Sequence, residues 1–334
     1  MKAIVNSESL FLLAKLVKNG SYEIIVKLLA ESEKGYQVEI ITPNSNKEDG
    51  TLAIPKEAFA LLPRKTSLII ENGVIKSKDQ EINLENEEGK QIQEIRMNKG
   101  RCIDIINFSE LIEVTYATTK DNPRKVLKCI CIDKCNFVAL DGYRMSIRSN
   151  IEDITDKPMI IPGHIVEVLK NFTKSDIATI YEDDKYMKIC FGWISITSKK
   201  EKDDNGEDLK FINYQSILPK DHTTEVIVNA SEIVEICKQI VKLNQSSNNL
   251  TNIKFNTEGS YLAVRSQGIK FKRYFSAEVK GDELNIAINA KYLLETLKNY
   301  TGNVTMYMST PVATILITDG KNKKDLVLPI RLMR

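Results

Sequence analysis

The sequence predicts an α+β protein made of three repeated domains, each with two helices packed on two antiparallel sheets. Three observations lead there. One helix-start signal occurs six times, short alternating segments fill the gaps between the starts, and 334 residues are too many for one ordinary core. Pairing the six units gives domains at 1–100, 101–221 and 222–334, near the usual domain size of roughly 100 to 150 residues.

Each start is a β-branched residue followed by Asn or Pro and then an apolar-periodic run. Asn is a strong N-cap and Pro suits the first turn. The first is "VNSESLFLLAKLV" at Asn6, where Leu10, Leu13, Ala14 and Val17 repeat with the helical period. The strand segments "YEIIVKLLAE" and "YQVEIITP" follow. The second is "IPKEAFALL" at Pro55, followed by "TSLIIENGVIKS" with a tight turn at Glu71-Asn72-Gly73, and by "QEINLEN". The third is "INFSELIEVTYA" at Asn107, with Phe108, Leu111, Ile112 and Thr115 on one face, and then "KVLKCICID". The fourth is "IPGHIVEVLKNF" at Pro162, with Ile165, Val168, Leu169 and Phe172 in period, and then "YMKICFGWISITS". The fifth, "VNASEIVEICKQIVKL" at Asn229, precedes "TNIKFNT" and "YLAVRS". The sixth, "INAKYLLETLKNY" at Asn289, precedes "VTMYMST" and "VATILITD". Asn107 with Glu110, and Asn229 with Glu232, have the spacing of a capping box.

A helix with one apolar stripe packs that stripe on a sheet, so the six polar backs face one side of the chain. They lean basic: Lys15, Lys18, Lys56, Lys170, Lys238, Lys242, Lys291 and Lys298 against Glu57, Glu167, Glu235 and Glu295. An ordinary solvated helix face is the alternative. Lys+Arg is 47 against Asp+Glu 45, so any basic function comes from sorting charges onto one face. No apolar run approaches a membrane span, and six irregularly spaced cysteines suit reduced thiols in a cytoplasmic protein. In "CICIDKC", Cys129, Cys131 and Cys135 lack the fourth ligand and the spacing of a zinc site and read as small strand residues, so no metal or cofactor is expected.

The stretch "NFVALDGYRMSIRS" at Asn136 to Ser149 combines an acid, a turn glycine, a phenol and a base. An enzyme reading places acid–base work on Asp141, His164 and Arg144. Against it stand only two histidines and no nucleophile elbow, P-loop or zinc-protease motif.

With "NPRKVLKCICID" before it, this stretch resembles the middle domain of the bacterial DNA polymerase III beta subunit (beta sliding clamp) family. That family shows R-x-x-L-x-G, a strand, and A-T-D-G-H-R-L; here stand Arg124, Leu127 and Ala139 to Met145. "ITSKK…FINYQSILPK" resembles the family's T-S-K…F-P-D-Y-x-x-V-L-P, and "PVATILITDG…DLVLPIRL" its ending near M-P-M-R-L. The likeness is good over residues 101 to 334 and rests mainly on helix placement before that.

The resemblance implies the DNA clamp fold and a non-catalytic processivity factor. It implies a head-to-tail homodimer ring around duplex DNA, with a clamp loader and a DNA polymerase catalytic subunit as partners. It implies a client-peptide pocket between the second and third domains at Leu127, Leu140, Gly142, Tyr143, Arg144, Met145, Ile212, Ile217, Tyr292, Val312, Thr314, Leu326, Leu328, Pro329 and Ile330. DNA-facing residues would be Lys15, Lys18, Arg124, Lys125, His164, Lys238 and Lys242. The dimer contact would use Ile82, Leu84 and Leu243. Departures are Leu140 for the usual Thr, Tyr143 for His, Ile212 for Pro, and Glu57, Ala58, Gly163 and His164 where a basic pair often stands. A clamp-like scaffold that never encircles DNA is therefore the rival. The charged segment Lys199 to Lys210 is expected to be a mobile insertion.

Overall fold

The computed structural model describes residues 2–7, 11, 24–26, 29–32, 36–40, 58, 60–71, 73–84, 97–119, 122–170, 176–191, 194–244 and 249–331. Most of the first expected helix lies outside these residues, as do Lys15, Lys18, Lys56 and Glu57; of the second, Ala58 and Ala60 to Leu62 are described, Ala58 and Leu62 buried and Ala60 and Leu61 exposed. The chain divides into two compact units, Met1–Ile112 with Ile160–Leu209, and Glu113–Met159 with Lys210–Arg334. Among the described residues no helix is long and apolar enough to cross a membrane.

The first unit holds two antiparallel sheets. One runs in the order Lys2–Asn6, Ser67–Glu71, Val74–Lys76, Glu81–Asn83. Its Ser67–Glu71 strand alternates as the sequence predicts, with Leu68 and Ile70 buried, and Gly73 closes the next hairpin at φ +81°. The other has seven strands in the order Ile24–Val26, Leu29–Ser32, Tyr36–Ile40, Ile194–Lys199, Tyr186–Phe191, Ala178–Glu182, Arg101–Ile105. Tyr36–Ile40 pairs with Ile194–Lys199, so this sheet joins strands from both sides of position 100. The helix Gly163–Leu169 follows Pro162 as its N-cap, and its first N–H donates to Glu201 at 2.9 Å. The helix Phe108–Val114 begins at a buried Phe108 whose ring lies 5.0 Å from that of Phe191.

Lys199 to Lys210, expected to be a mobile insertion, forms a hydrogen-bonded turn. Asp203 accepts N–H bonds from Asn205 (2.9 Å) and Glu207 (2.8 Å), and Lys202 and Asp208 form both a β-bridge and an ion pair. Lys200 reaches Glu182 at 3.1 Å. Opposite charges spaced to meet across a turn stabilise it, whereas a run of one sign would repel.

In the second unit, strands are labelled in chain order: β1 Ile130–Asp133, β2 Asn136–Leu140, β3 Arg144–Ser149, β4 Thr224–Asn229, β5 Leu250–Phe255, β6 Ser260–Ser266, β7 Ile269–Phe275, β8 Ala277–Gly281, β9 Leu284–Asn289, β10 Asn303–Met308, β11 Ile315–Thr318 and β12 Lys323–Val327. Helix α1 is Ala230–Leu243 and α2 is Ala290–Leu297. A nine-stranded sheet runs Met159–Ile161, β1, β2, β3, β12, β11, β10, β4, β8, and a four-stranded one runs β7-β6-β5-β9. Both helices leave a strand at an asparagine. Asn229 accepts from the N–H of Ser231 (3.1 Å), and Asn289 from those of Lys291 (2.9 Å) and Tyr292 (3.3 Å). The capping box expected at Asn229 is half made. Glu232 takes the N–H of Ser276 instead, because Asn229 still belongs to the β4 ladder. On α1, Ile233, Ile236, Cys237 and Ile240 are buried, while Glu235, Lys238, Gln239 and Lys242 are exposed. Cys129 and Cys131 are buried beside and within β1, as small residues in a packed strand.

Candidate functional site

The site lies wholly in the second unit and is built around the β2–β3 hairpin. Both strands are buried on both faces, from Phe137 to Leu140 and from Arg144 to Arg148. The turn between them needs Gly142, whose φ is +93°. Asp141 shapes the turn. One of its oxygens accepts the N–H groups of Tyr143 (2.9 Å) and Arg144 (3.0 Å), and the other accepts Arg144 Nε at 2.9 Å. Asp141 is buried and both its oxygens are engaged, so it anchors a turn and is not a free base.

Arg144 carries the turn to α2. Its guanidinium pairs with Glu295 and lies 4.6 Å over the Tyr292 ring and 5.3 Å over the Tyr116 ring. Burial pulls the Arg144 pKa down, but the hydrogen bond to Glu295 and the charges of Asp141 and Glu295 outweigh it and leave it above its ordinary value. Tyr143 projects from the turn, 60% exposed, and stacks on Tyr292 with centroids 5.9 Å apart. Burial, and then the Asp141 charge, push the Tyr292 phenol upward.

The chain's last strand completes the site. β12 pairs antiparallel with β3, Val327 opposite Arg144 and Leu326 opposite Met145. Beyond it, Leu328 N–H donates to Tyr143 O at 2.9 Å and Ile330 N–H to Ala287 O at 2.7 Å. Leu328, Pro329 and Ile330 are thus tied to the turn on one side and to β9 on the other, half-exposed. Leu127, Leu140, Met145 and Leu326 are buried in one cluster with Cys131, Val138, Ile147 and Tyr214, and Ile212 packs at its margin. These four form a floor rather than a surface. Ile217 ends the 3-10 turn Tyr214–Ile217 and is exposed; Val312 and Thr314 sit on the segment entering β11, the first exposed and the second half-exposed.

Tyr214 was not among the expected residues, although it stands inside "FINYQSILP". Its hydroxyl donates to Asp133 at 3.0 Å and accepts from Asn136 at 3.3 Å, and burial pushes its phenol up to about 12. Also missed were Glu295 and a buried charge network beside the hairpin. Arg148, fully buried, binds both oxygens of the buried Asp325 at 3.2 and 3.1 Å and Glu113 at 3.0 Å. Asp325 also accepts from Tyr116 (2.8 Å) and Tyr300 (2.5 Å), and Lys323 reaches Glu113 at 2.8 Å. Burial works against the Arg148 charge, but Asp325 prevails and holds its pKa above normal. This network pins β3 to β12, the two strands whose ends make the site.

The remaining expected residues lie elsewhere. Lys238 and Lys242 are exposed on α1, Lys238 paired with Glu235 at 2.6 Å. Arg124 and Lys125 are exposed where the 3-10 turn Lys125–Lys128 begins. His164 is in the helix Gly163–Leu169, and its side chain lies outside the described residues, as do Lys15 and Lys18 entirely. Ile82 is half-buried on the edge strand of the four-stranded sheet of the first unit, and Leu84 is buried, its N–H on Gly73 O. Leu243 is half-buried at the end of α1, against the core.

Residues 215–331 match the family model of the DNA polymerase III beta subunit, C-terminal domain. The beta sliding clamp of Synechocystis sp. is 23% identical over 246 residues, which span 65% of this chain and 61% of that relative. That of Synechococcus elongatus is 23% identical over 255 residues, 68% of this chain and 65% of its own length. The matched part thus falls short of two thirds of both curated relatives. Among solved structures, the DNA polymerase III subunit beta from Pseudomonas aeruginosa shares the fold with TM-score 0.76 at 17% identity, over 99% of this chain and 100% of that one. A sliding clamp from Bartonella birtlesii bound to griselimycin does so with TM-score 0.77 at 18% identity, over the same shares. Residues 215–331 thus match the C-terminal domain of the DNA polymerase III beta subunit in sequence, and the sheets and helices of the chain follow the sliding-clamp fold.

Proposed function

We propose that the chain is a DNA sliding clamp, a non-catalytic processivity factor of a bacterial-type replicative polymerase, working in the cytoplasm. Two copies, each of three domains, join head to tail through Leu243 on one side and the Ile82–Leu84 edge on the other and close a ring around duplex DNA. A clamp loader opens it. Lys238, Lys242, Arg124, Lys125, Lys15, Lys18 and His164 face the phosphates loosely, so the ring slides. Client proteins, the polymerase catalytic subunit first, dock an apolar peptide at Tyr143, Tyr292, Ile212, Ile217, Val312, Thr314 and Leu328 to Ile330. The protein acts by raising the polymerase's effective concentration at the template.

The observation that carries this reading is the half-exposed run Leu328–Ile330, fixed by backbone hydrogen bonds to the Tyr143 turn and to β9, beside the Tyr143–Tyr292 pair. A preformed apolar surface with few polar groups suits a short apolar peptide. The engagement of Asp141 in its own turn supports a role without catalysis.

Retention on DNA tests the reading. Loaded protein should stay on nicked circular DNA through gel filtration and be lost once the circle is cut. The rival, a scaffold that binds clients without encircling DNA, is favoured by the pairing of Lys238 with Glu235. Peptide binding with no topology-dependent retention would establish it in place of the ring.

A further inference from the structure

The sheet β7-β6-β5-β9 has one face in the core, where Ile253, Phe255, Leu262 and Ile286 are buried with α1 and α2. Its other face has a different chemistry. In register, Tyr274 of β7 stands opposite Tyr261 of β6, Lys272 opposite Ala263, and Lys270 opposite Arg265. Lys254 of β5 stands opposite Tyr261 on the next ladder. Four cations and two phenols therefore share one face, and the outward positions of β6 and β7 carry no carboxylate. Lys254 has a distant partner, Glu283, at 3.8 Å. Arg265 and Lys270 are exposed and make no ion pair among the described residues.

The two rings meet edge to face, 5.6 Å between centroids, and Lys272 Nζ sits 3.7 Å over Tyr261 and 4.6 Å over Tyr274. Alternate residues on a strand are about 7 Å apart and neighbouring strands about 4.8 Å, so the sheet holds these groups as a fixed array. Arg273 points the other way, to Gln239 of α1, which separates this patch from the helix face.

We propose that this outward face binds single-stranded nucleic acid, with phosphates on Arg265, Lys270 and Lys272 and unstacked bases against Tyr261 and Tyr274. Phosphates satisfy the unpaired cations. The rings select a single strand, because a duplex keeps its base faces stacked while every unpaired base offers a π-face to an aromatic platform. An acidic peptide would use the cations but leave the rings without a partner. A base entering over Tyr274, which is 60% exposed, needs only a rotation of Lys272, an exposed flexible side chain.

The test is fluorescence anisotropy of a labelled twenty-nucleotide oligo-dT with the full chain, without a loader, at low salt. The oligonucleotide should bind, and affinity should fall steeply with added salt. A duplex of equal length and poly-glutamate should both compete poorly. Lys270→Glu with Lys272→Glu should weaken binding at least tenfold. Tyr274→Ala should weaken it by about tenfold, the effect of losing one stacked base, with an unchanged thermal midpoint. Arg265→Gln, outside the ring cluster, should weaken it in the same direction and stands in if a tyrosine variant loses stability. Absence of binding, undiminished binding by the lysine pair variant, or equal displacement by poly-glutamate would overturn the proposal.

Discussion

The turns at Asp141–Arg144 and Asp183–Tyr186 have the same backbone plan in two different sheets. In each, the first and fourth residues pair through the backbone, Asp141 N to Arg144 O at 3.2 Å and Asp183 N to Tyr186 O at 3.0 Å. In each, one aspartate oxygen accepts the N–H groups two and three residues on. The distances are 2.9 and 3.0 Å at Asp141, and 2.8 and 2.6 Å at Asp183. The remaining oxygen separates them. That of Asp141 takes the Arg144 guanidinium, and that of Asp183 takes the N–H of Asn98 at 2.8 Å. Arg144 goes on to Glu295 and Tyr292 of α2, whereas Asp184 and Lys185 point to solvent. An acid at the head of a tight turn is thus a folding device that recurs away from any site. What sets the first turn apart is the residue that leaves it to grip another element.

The comparison breaks most visibly in stability. Asp141→Ala removes one of two carboxylate partners from a buried guanidinium and should cost about 3–5 kcal/mol, the range for breaking a buried ion pair. Asp183→Ala strands backbone N–H groups but no buried charge and should cost about 1–3 kcal/mol. Urea unfolding of the two variants measures both. Equal losses would mean that Arg144 adds nothing to its turn.

Binding sharpens the contrast next. Leu328→Asp places a charge at the half-exposed run tied to Tyr143 and should weaken a labelled client peptide by tenfold to a hundredfold. That corresponds to the roughly 1.5–3 kcal/mol of burying one apolar anchor. Its urea midpoint should hardly move, since Leu328 is not in the buried floor. Tyr143→Ala should weaken the peptide less, by up to about tenfold, the upper range of one aromatic pair. A peptide that binds both variants like the parent would move the docking site elsewhere.

Some of this was legible in the residues, for physical reasons. α1 and α2 announce themselves because an Asn cap and a helical apolar period are local, and both signals sit within a dozen residues of Asn229 and Asn289. The turn at Asp141 was legible as a turn, since Gly142 and its flanking apolar strands are adjacent. Floor and rim of the site were not separable. Leu127 and Met145 read like Leu328 in sequence, and only the laying of β12 on β3 decides which is covered. Arg148 was hidden for the same reason. "RMSIRS" looks like a half-solvated strand, but the partner that permits burial, Asp325, is 177 residues away. In the charged loop 199–210, composition reports charge but not pairing, and which charges meet across the bridge at Lys202 and Asp208 is seen only in the fold.

The smallest effect separates the two turns by pH. Burial pushes the Asp183 carboxyl upward, but N–H donation from Tyr186, Lys185 and Asn98 and the Lys200 charge outweigh it, leaving its pKa below the ordinary 3.8. A depressed carboxyl pKa means the native state holds the anion more tightly than the unfolded chain does. The stability it contributes is therefore complete above the unfolded pKa and is lost as pH falls through 3.8 toward the lower native value. Asp183→Asn keeps one acceptor oxygen for the turn and removes the titration. Thermal midpoints of the variant and parent, compared from pH 7 down to about 3, should differ by a constant offset at first and converge at the acid end as the parent protonates. Parallel curves throughout would show that the Asp183 turn holds its carboxyl by shape alone, and that its N–H groups do not favour the anion.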